Sequence, residues 1–112
     1  MAHWNHITSE EDLQAIEKAS FASPQIVFKH STRCGISSHV WATLQNASSE
    51  LEGKGQLHYL DLLTYRPLSN KIAHDWNVLH QSPQVIVLKE GKAIHHSSHF
   101  AVNAQKILNA CS

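Results

Sequence analysis

A strand-like run, Gln25-Ile26-Val27-Phe28-Lys29-His30, passes through the polar loop Ser31-Thr32-Arg33 into Cys34 and then into the strongest helical pattern of the chain. The Ile-Val-Phe centre shows no polar alternation, which is the pattern of a strand covered on both faces in an α/β sheet. Beyond it, Ile36, Val40, Leu44, Ala47 and Leu51 recur in steps of four and three with Trp41 beside them, and predict one helix from about residue 34 to 51. A thiol is thereby placed where strand becomes helix. Free backbone N–H groups and the positive end of the helix dipole concentrate at that point, and both favour thiolate over thiol. The cation of Arg33, and Lys29 beneath it, push the same way. Cys34 reads as the reactive centre, and the rest of the chain as its mount.

The other segments alternate around this unit. His3–Ile7 reads as a short first strand. Thr8 or Ser9 reads as a helix N-cap, because Glu11 follows Thr8 at capping-box spacing. Leu13, Ile16 and Ala19 then predict a helix over about 9–21, ended by Ser23-Pro24. After the 34–51 helix, Glu52-Gly53-Lys54-Gly55 supplies a cap and loop, and Gln56–Leu62 reads as a strand. Pro67 and Ser69 open a helix with Ile72, Ala73 and Trp76 on its inner face. Gln84–Lys89 is an apolar strand preceded by Pro83, Glu90-Gly91 is a turn, and 92–97 returns antiparallel. Ala104, Ile107, Leu108 and Cys111 define a closing helix. The order is β-α-β-α-β-α-β-β-α, an α/β fold whose parallel portion is extended by an antiparallel hairpin.

At 112 residues, with no internal repeat, the chain reads as one domain over 1–112. Nine Lys and Arg balance nine Asp and Glu, so there is no basic excess to recommend nucleic acid or an anionic membrane surface as partner. No apolar stretch approaches the roughly 18 residues of a membrane span. The segment from Met1 to His6 lacks the charged and apolar regions of a signal peptide, and a cytoplasmic location is expected. Two cysteines cannot form a disulfide framework. Cys111 falls on the apolar stripe of the last helix and reads as a structural thiol, with a resolving role toward Cys34 as the alternative.

That order of elements, with a cysteine at a strand–helix junction and a proline before a late strand, resembles the thioredoxin fold, a central mixed sheet flanked by helices. Within it, Phe28-Lys29-His30-Ser31-Thr32-Arg33-Cys34-Gly35-Ile36-Ser37-Ser38 is similar to the YtxJ-type bacilliredoxins, the monothiol members of the bacillithiol redox system. The resemblance extends to Ser82-Pro83-Gln84-Val85 and to Lys89-Glu90-Gly91-Lys92-Ala93 with His95 to His99, and so covers nearly the whole chain. Gly35 departs from the family, which commonly has proline there. Cys34-Gly35-Ile36-Ser37 also resembles the C-G-F-S signature of monothiol glutaredoxins, some of which share an iron–sulfur cluster between two subunits with glutathione. Lys29 fits that family too, but the Gly-Gly and acidic pair it uses after the turn are absent from Ala93-Ile94-His95-His96-Ser97-Ser98-His99.

The bacilliredoxin resemblance implies a thiol–disulfide oxidoreductase that removes bacillithiol from protein mixed disulfides. It implies bacillithiol as co-substrate, no tightly bound cofactor, S-bacillithiolated proteins as clients, and a monomer. Ser82–Pro83 is expected to be a cis peptide beside the cysteine, leaving the Ser82 backbone free to pair with substrate. The residues add detail. Ser37 stands where a C-x-x-C pair would have its second thiol, so an intermediate must be resolved from outside. The backbone N–H groups near Gly35 and Ile36 should face the sulfur, and Ser37 should donate its hydroxyl to it. Gly35 should permit close backbone approach, and Arg33 should pair with a carboxylate of the thiol cargo. His95, His96 and His99 fall in no metal-ligand spacing, and no metal is expected. His30 is placed to tune the protonation of Cys34.

Overall fold

In the computed structural model, which describes residues 3–112, the elements run β1 (Trp4–His6), α1 (Glu10–Ala19), β2 (Gln25–His30), α2 (Gly35–Asn46), α3 (Ser48–Glu52), β3 (Gln56–Asp61), α4 (Arg66–Asp75), β4 (Gln84–Lys89), β5 (Lys92–Ser98) and α5 (Ala104–Cys111). Met1 and Ala2, which head the segment read as lacking a signal peptide, lie outside the described residues. The sheet order is β1-β3-β2-β4-β5. β1, β3 and β2 are parallel, and β4 and β5 continue the sheet antiparallel. This is the central mixed sheet with flanking helices that the alternation implied.

Two apolar layers follow from the strand period of two. On one face, Val27, Leu60, Ile86 and Leu88 pack against Leu13 and Ile16 of α1 and Leu68 and Ile72 of α4. On the other, Ile26, Phe28, Leu57, Val85 and Val87 pack against Val40 and Leu44 of α2, Leu51 of α3, and Ile107 and Cys111 of α5. β2 lies between the two layers and every one of its six residues is buried. Glu90 and Gly91 both have positive φ, 53° and 77°, the geometry of a two-residue type I′ hairpin turn joining β4 to β5. Ser20 holds that turn from below, its carbonyl accepting from Glu90 N and its Oγ from Gly91 N. Among the described residues, no helix is long and apolar enough to cross a membrane.

Two sequence expectations change in detail. The helix expected over 34–51 is broken at Ala47, whose φ of −99° and ψ of 5° leave the helical region. Ser48 donates its hydroxyl to Leu44 O at 2.9 Å and accepts from Trp4 Nε1 at 2.8 Å. A side chain thus bonds a carbonyl at the end of α2 and ties the break to β1. The apolar stripe runs on through Leu44, Ala47 and Leu51, so periodicity alone does not register the break. At the first helix the cap is Ser9, which accepts from Asp12 N. The reciprocal partner is Asp12 rather than Glu11, and its carboxylate reaches back to Thr8 N and Oγ1.

The loop between α3 and β3 makes the tightest backbone approach. A Cβ built on Gly55 would lie 2.6 Å from Pro24 O, the carbonyl that accepts from Gln56 N and starts the β2–β3 pairing. Gly55→Ala is therefore expected to destabilise the protein by about 1–3 kcal/mol, as overpacking against rigid backbone does. Urea unfolding checks it, and an unchanged midpoint would show that this loop has room to yield.

Candidate active site

Cys34 caps α2. Its φ of −106° and ψ of 122° are extended, its N–H donates to Ser31 O at 3.1 Å, and its carbonyl accepts from Ser38 N at 3.0 Å to open the helix. The thiol is half-buried. The N–H groups of Gly35, Ile36 and Ser37 have no acceptor among the described residues, and the Cys34 side chain makes no capping hydrogen bond to them. Arg33 is exposed in the loop before it.

Topology fixes what else gathers here. β2 and β4 are antiparallel with Lys29 opposite Gln84, so the loop after β2 and the segment before β4 emerge at the same end of the sheet. That end carries Cys34 and the Ser82–Pro83 peptide, which is cis. Pro83 O accepts from His99 N at 2.9 Å, bringing in the short 3-10 turn His99–Ala101. His99 enters that turn at a φ of 54°, and Phe100, 70% exposed, meets the edge of His39 on α2.

Two expected roles are corrected. Ser37 is fully buried and its hydroxyl is bonded elsewhere than to the sulfur; its Oγ accepts from Ser31 N at 3.0 Å and shares a 2.6 Å hydrogen bond with His30 Nδ1. The buried stripe of α2 runs Ser37, Val40, Leu44. Ile36, read as its first member, is exposed. Steps of three and four fit either phase from Val40, so the sequence left the choice open, and the polar group at the end of β2 decides it. Lys29 is also buried, and its Nζ donates to Ser69 O at 3.2 Å and to His80 Nδ1 at 3.4 Å. Its ammonium is committed to α4 and to the segment before Pro83, on the sheet face opposite Phe28, and does not serve as the cation of the thiol. At Gly35, an added Cβ would meet no other part of the chain within 4 Å.

His30 is the residue that joins the site to the core. Its ring stacks on Phe28 with centroids 5.7 Å apart and lies within 6.1 Å of Trp41 and 5.7 Å of Tyr59. Burial pushes its pKa down, opposed by the charge of Asp61. Trp41 packs against Phe28, Tyr59 and Trp4. The partners of Lys29, Ser69 and His80, stand in no local motif. A lysine inside a strand buried on both faces is the signal that such partners must exist. Among the described residues, no group of three His, Cys, Asp or Glu side chains is placed to hold a metal ion.

Cys111 sits at the other pole. It is buried in the layer beneath α5, where burial pushes its pKa up against the charges of Lys89 and Lys54. Those lysines end β4 and precede β3, which places them at the end of the sheet away from Cys34.

The family model for Monothiol bacilliredoxin BrxC matches residues 5–107. Among solved structures, a candidate oxidoreductase with a thioredoxin fold is 26% identical, with a TM-score of 0.80 over 96% of this chain and 93% of its own. The thioredoxin of Fasciola hepatica, 15% identical, gives 0.70 over 96% and 95%. The short form of thioredoxin f from spinach chloroplast, 14% identical, gives 0.75 over 99% and 96%. The sheet order and the placement of the helices are those of the thioredoxin fold.

Two consequences are measurable. Ser37→Ala strands His30 Nδ1 and Ser31 N and is expected to cost about 1–3 kcal/mol of stability. Because the Ser37 hydroxyl is bonded to Ser31 and His30 and not to the sulfur, the rate of Cys34 alkylation by iodoacetamide should not change; a large change would return Ser37 to the thiol. For Lys29, burial lowers the pKa from 10.5 to about 8. Between those values the unfolded chain holds a proton that the folded protein has released, so stability rises with pH from about 8 to 10.5. Urea unfolding across that range should show the rise in the wild type and lose it in Lys29→Met. Parallel pH profiles for the two proteins would contradict the assignment.

Proposed function

The chain belongs to the monothiol bacilliredoxin family, and from that premise we propose that it is a thiol–disulfide oxidoreductase that removes bacillithiol from protein mixed disulfides. The observation that carries this reading is the isolation of one thiol. Cys34 heads α2 with free N–H groups beside it. The residue three further on is a buried serine bonded to His30, and the second cysteine belongs to the core at the opposite pole. A site built in this way cannot close a disulfide of its own and must carry cargo.

The chemistry is that of thiol–disulfide exchange. Cys34 thiolate attacks the bacillithiol sulfur of the mixed disulfide, a bond forms between Cys34 and bacillithiol, and the client cysteine leaves as a thiolate that takes a proton from water. A second bacillithiol thiolate, or a thiolate of a partner oxidoreductase, then attacks the bacillithiol-side sulfur and releases Cys34. Free donors at the start of α2 stabilise charge on Cys34 sulfur whenever it is the nucleophile or leaving group. Arg33 is exposed beside Cys34 and pairs with a carboxylate of the malate that bacillithiol carries. The Ser82 backbone, at the same end of the sheet, receives the extended client chain. Bacillithiol acts here as co-substrate and not as a resident cofactor. The protein works as a monomer in the cytoplasm on S-bacillithiolated clients, without nucleic acid or membrane.

Intact-protein mass spectrometry tests this on the reduced protein mixed with a bacillithiolated substrate and, separately, a glutathionylated one. The expected result is rapid gain of bacillithiol, in preference to glutathione, on Cys34. Cys34→Ser should abolish transfer and Cys111→Ser should leave it nearly intact. If Cys111→Ser is as damaging as Cys34→Ser, the single-thiol mechanism is wrong, and a preference for glutathione would move the chemistry to that of the monothiol glutaredoxins.

A further inference from the structure

A cavity of about 570 Å³ lies under α1, and the thiol chemistry has no use for it. Its walls include Asn5 of the edge strand, Asp12, Ala15 and Ala19 of α1, and Gln25 and His58 at the starts of β2 and β3. Cys34 follows the far end of β2, a strand of six residues, or about 17–20 Å of extended chain. The gap exists because Ala15 and Ala19 present only methyl groups to it while the sheet beneath is polar.

The polar floor has a fixed direction. Gln25 donates its amide NH₂ to Ser23 O at 3.1 Å and Ser23 Oγ at 3.3 Å, which turns its Oε1 to His58 Nε2 at 2.7 Å. An amide oxygen only accepts, so Nε2 carries the imidazole hydrogen and Nδ1 is left as a bare acceptor. No described residue donates to Nδ1, and although His58 as a whole is only 6% exposed that atom is not shut off by its neighbours. Burial pushes the His58 pKa down to about 4, against the charge of Asp12, so the ring stays neutral at physiological pH. At the rim, Asp12 Oδ2 accepts from Thr8 N and Oγ1, bonds that hold its carboxyl below the usual range. Ser9 also donates toward that carboxyl. Asp12 is the only Asp, Glu, Lys or Arg in the lining. Beside apolar walls the cavity thus offers an accessible acceptor at His58 Nδ1 and one carboxylate at Asp12, with His3 and His6 also in the lining, and the negative charge favours a ligand that carries N–H donors.

We propose that this cavity binds a small organic cation, an apolar body carrying N–H donors in the manner of an aryl amidine, with one donor to Asp12 and one to His58 Nδ1. The site is independent of the reading given for Cys34, and either can fail without the other.

Benzamidine is the probe, titrated into the ¹⁵N-labelled full chain and followed by amide resonances. Saturable shifts are expected at Asn5, Asp12, Ala15 and His58, with the resonances of Cys34 and Gly35 unmoved. Benzoate, of similar shape and opposite charge, should produce none. Asp12→Asn should weaken binding by about tenfold or more, the loss of one charge-assisted hydrogen bond. Ala15→Leu should fill the cavity and abolish binding in a folded protein; should that variant not fold, the Asp12→Asn and benzoate arms decide alone. Shifts that never saturate, shifts centred on Cys34, equal binding of benzoate, or unaltered affinity in Asp12→Asn would each overturn the proposal.

Discussion

Everything in this molecule that bears on chemistry hangs from β2. The strand is hydrogen-bonded to β3 on one side and to β4 on the other, and helices cover both of its faces. A strand enclosed in that way has no freedom to slip, because a shift of one residue would exchange the two apolar layers. The loop beyond its last residue inherits that rigidity. Ser31–Arg33 is short, Cys34 is bonded back to Ser31, and the thiol is held where α2 begins. The position of the reactive atom is thus set by backbone pairing and by burial of Ile26, Val27 and Phe28, before any neighbour of the sulfur is considered.

The same strand carries three polar residues into the interior, and each is answered by a different element. Gln25 meets His58 of β3, Lys29 meets Ser69 of α4 and His80, and His30 meets Ser37 of α2. Burying such groups costs free energy unless they are bonded, so each contact is worth more as a condition on the fold than as a gain in stability. Only one arrangement of α2 satisfies His30, and only one of α4 satisfies Lys29. The helices are oriented by these bonds as well as by their apolar stripes. This accounts for a serine in the buried row of α2, where periodicity alone would seat an aliphatic residue.

How far the sequence could be read depends on the same distinction. β2 and β4 were legible to the residue at nearly every end, because burial on both faces forces an unbroken apolar run bounded by polar residues. The turn at Glu90-Gly91 and the closing helix were legible for similar local reasons. The break at Ala47 was not, since it is made by Ser48 bonding Trp4 across the sheet edge, a contact 44 residues away in the chain. The place of Cys34 between strand and helix was legible as well. The inward turn of Ser37 and the commitment of Lys29 to His80 depend on elements that meet only in three dimensions. Residue type announced that a buried lysine needed partners, and only the fold could name them.

The locking of β2 to α2 also bears on the single-thiol chemistry proposed for Cys34. In a two-thiol site the second sulfur must approach the first, so the residue three after the nucleophile has to face outward or be free to move. Here that residue closes the core: its hydroxyl is shared between Ser31 N and His30, and His30 is in turn stacked on Phe28 within the aromatic group around Trp41. The only other thiol is fixed in the opposite pole of the same apolar layer. With both internal routes to a second sulfur built into the core, a mixed disulfide on Cys34, as proposed above, would have to wait for a thiol from outside. The reliance on an external thiol in that proposal would follow from the bonds that hold strand and helix together.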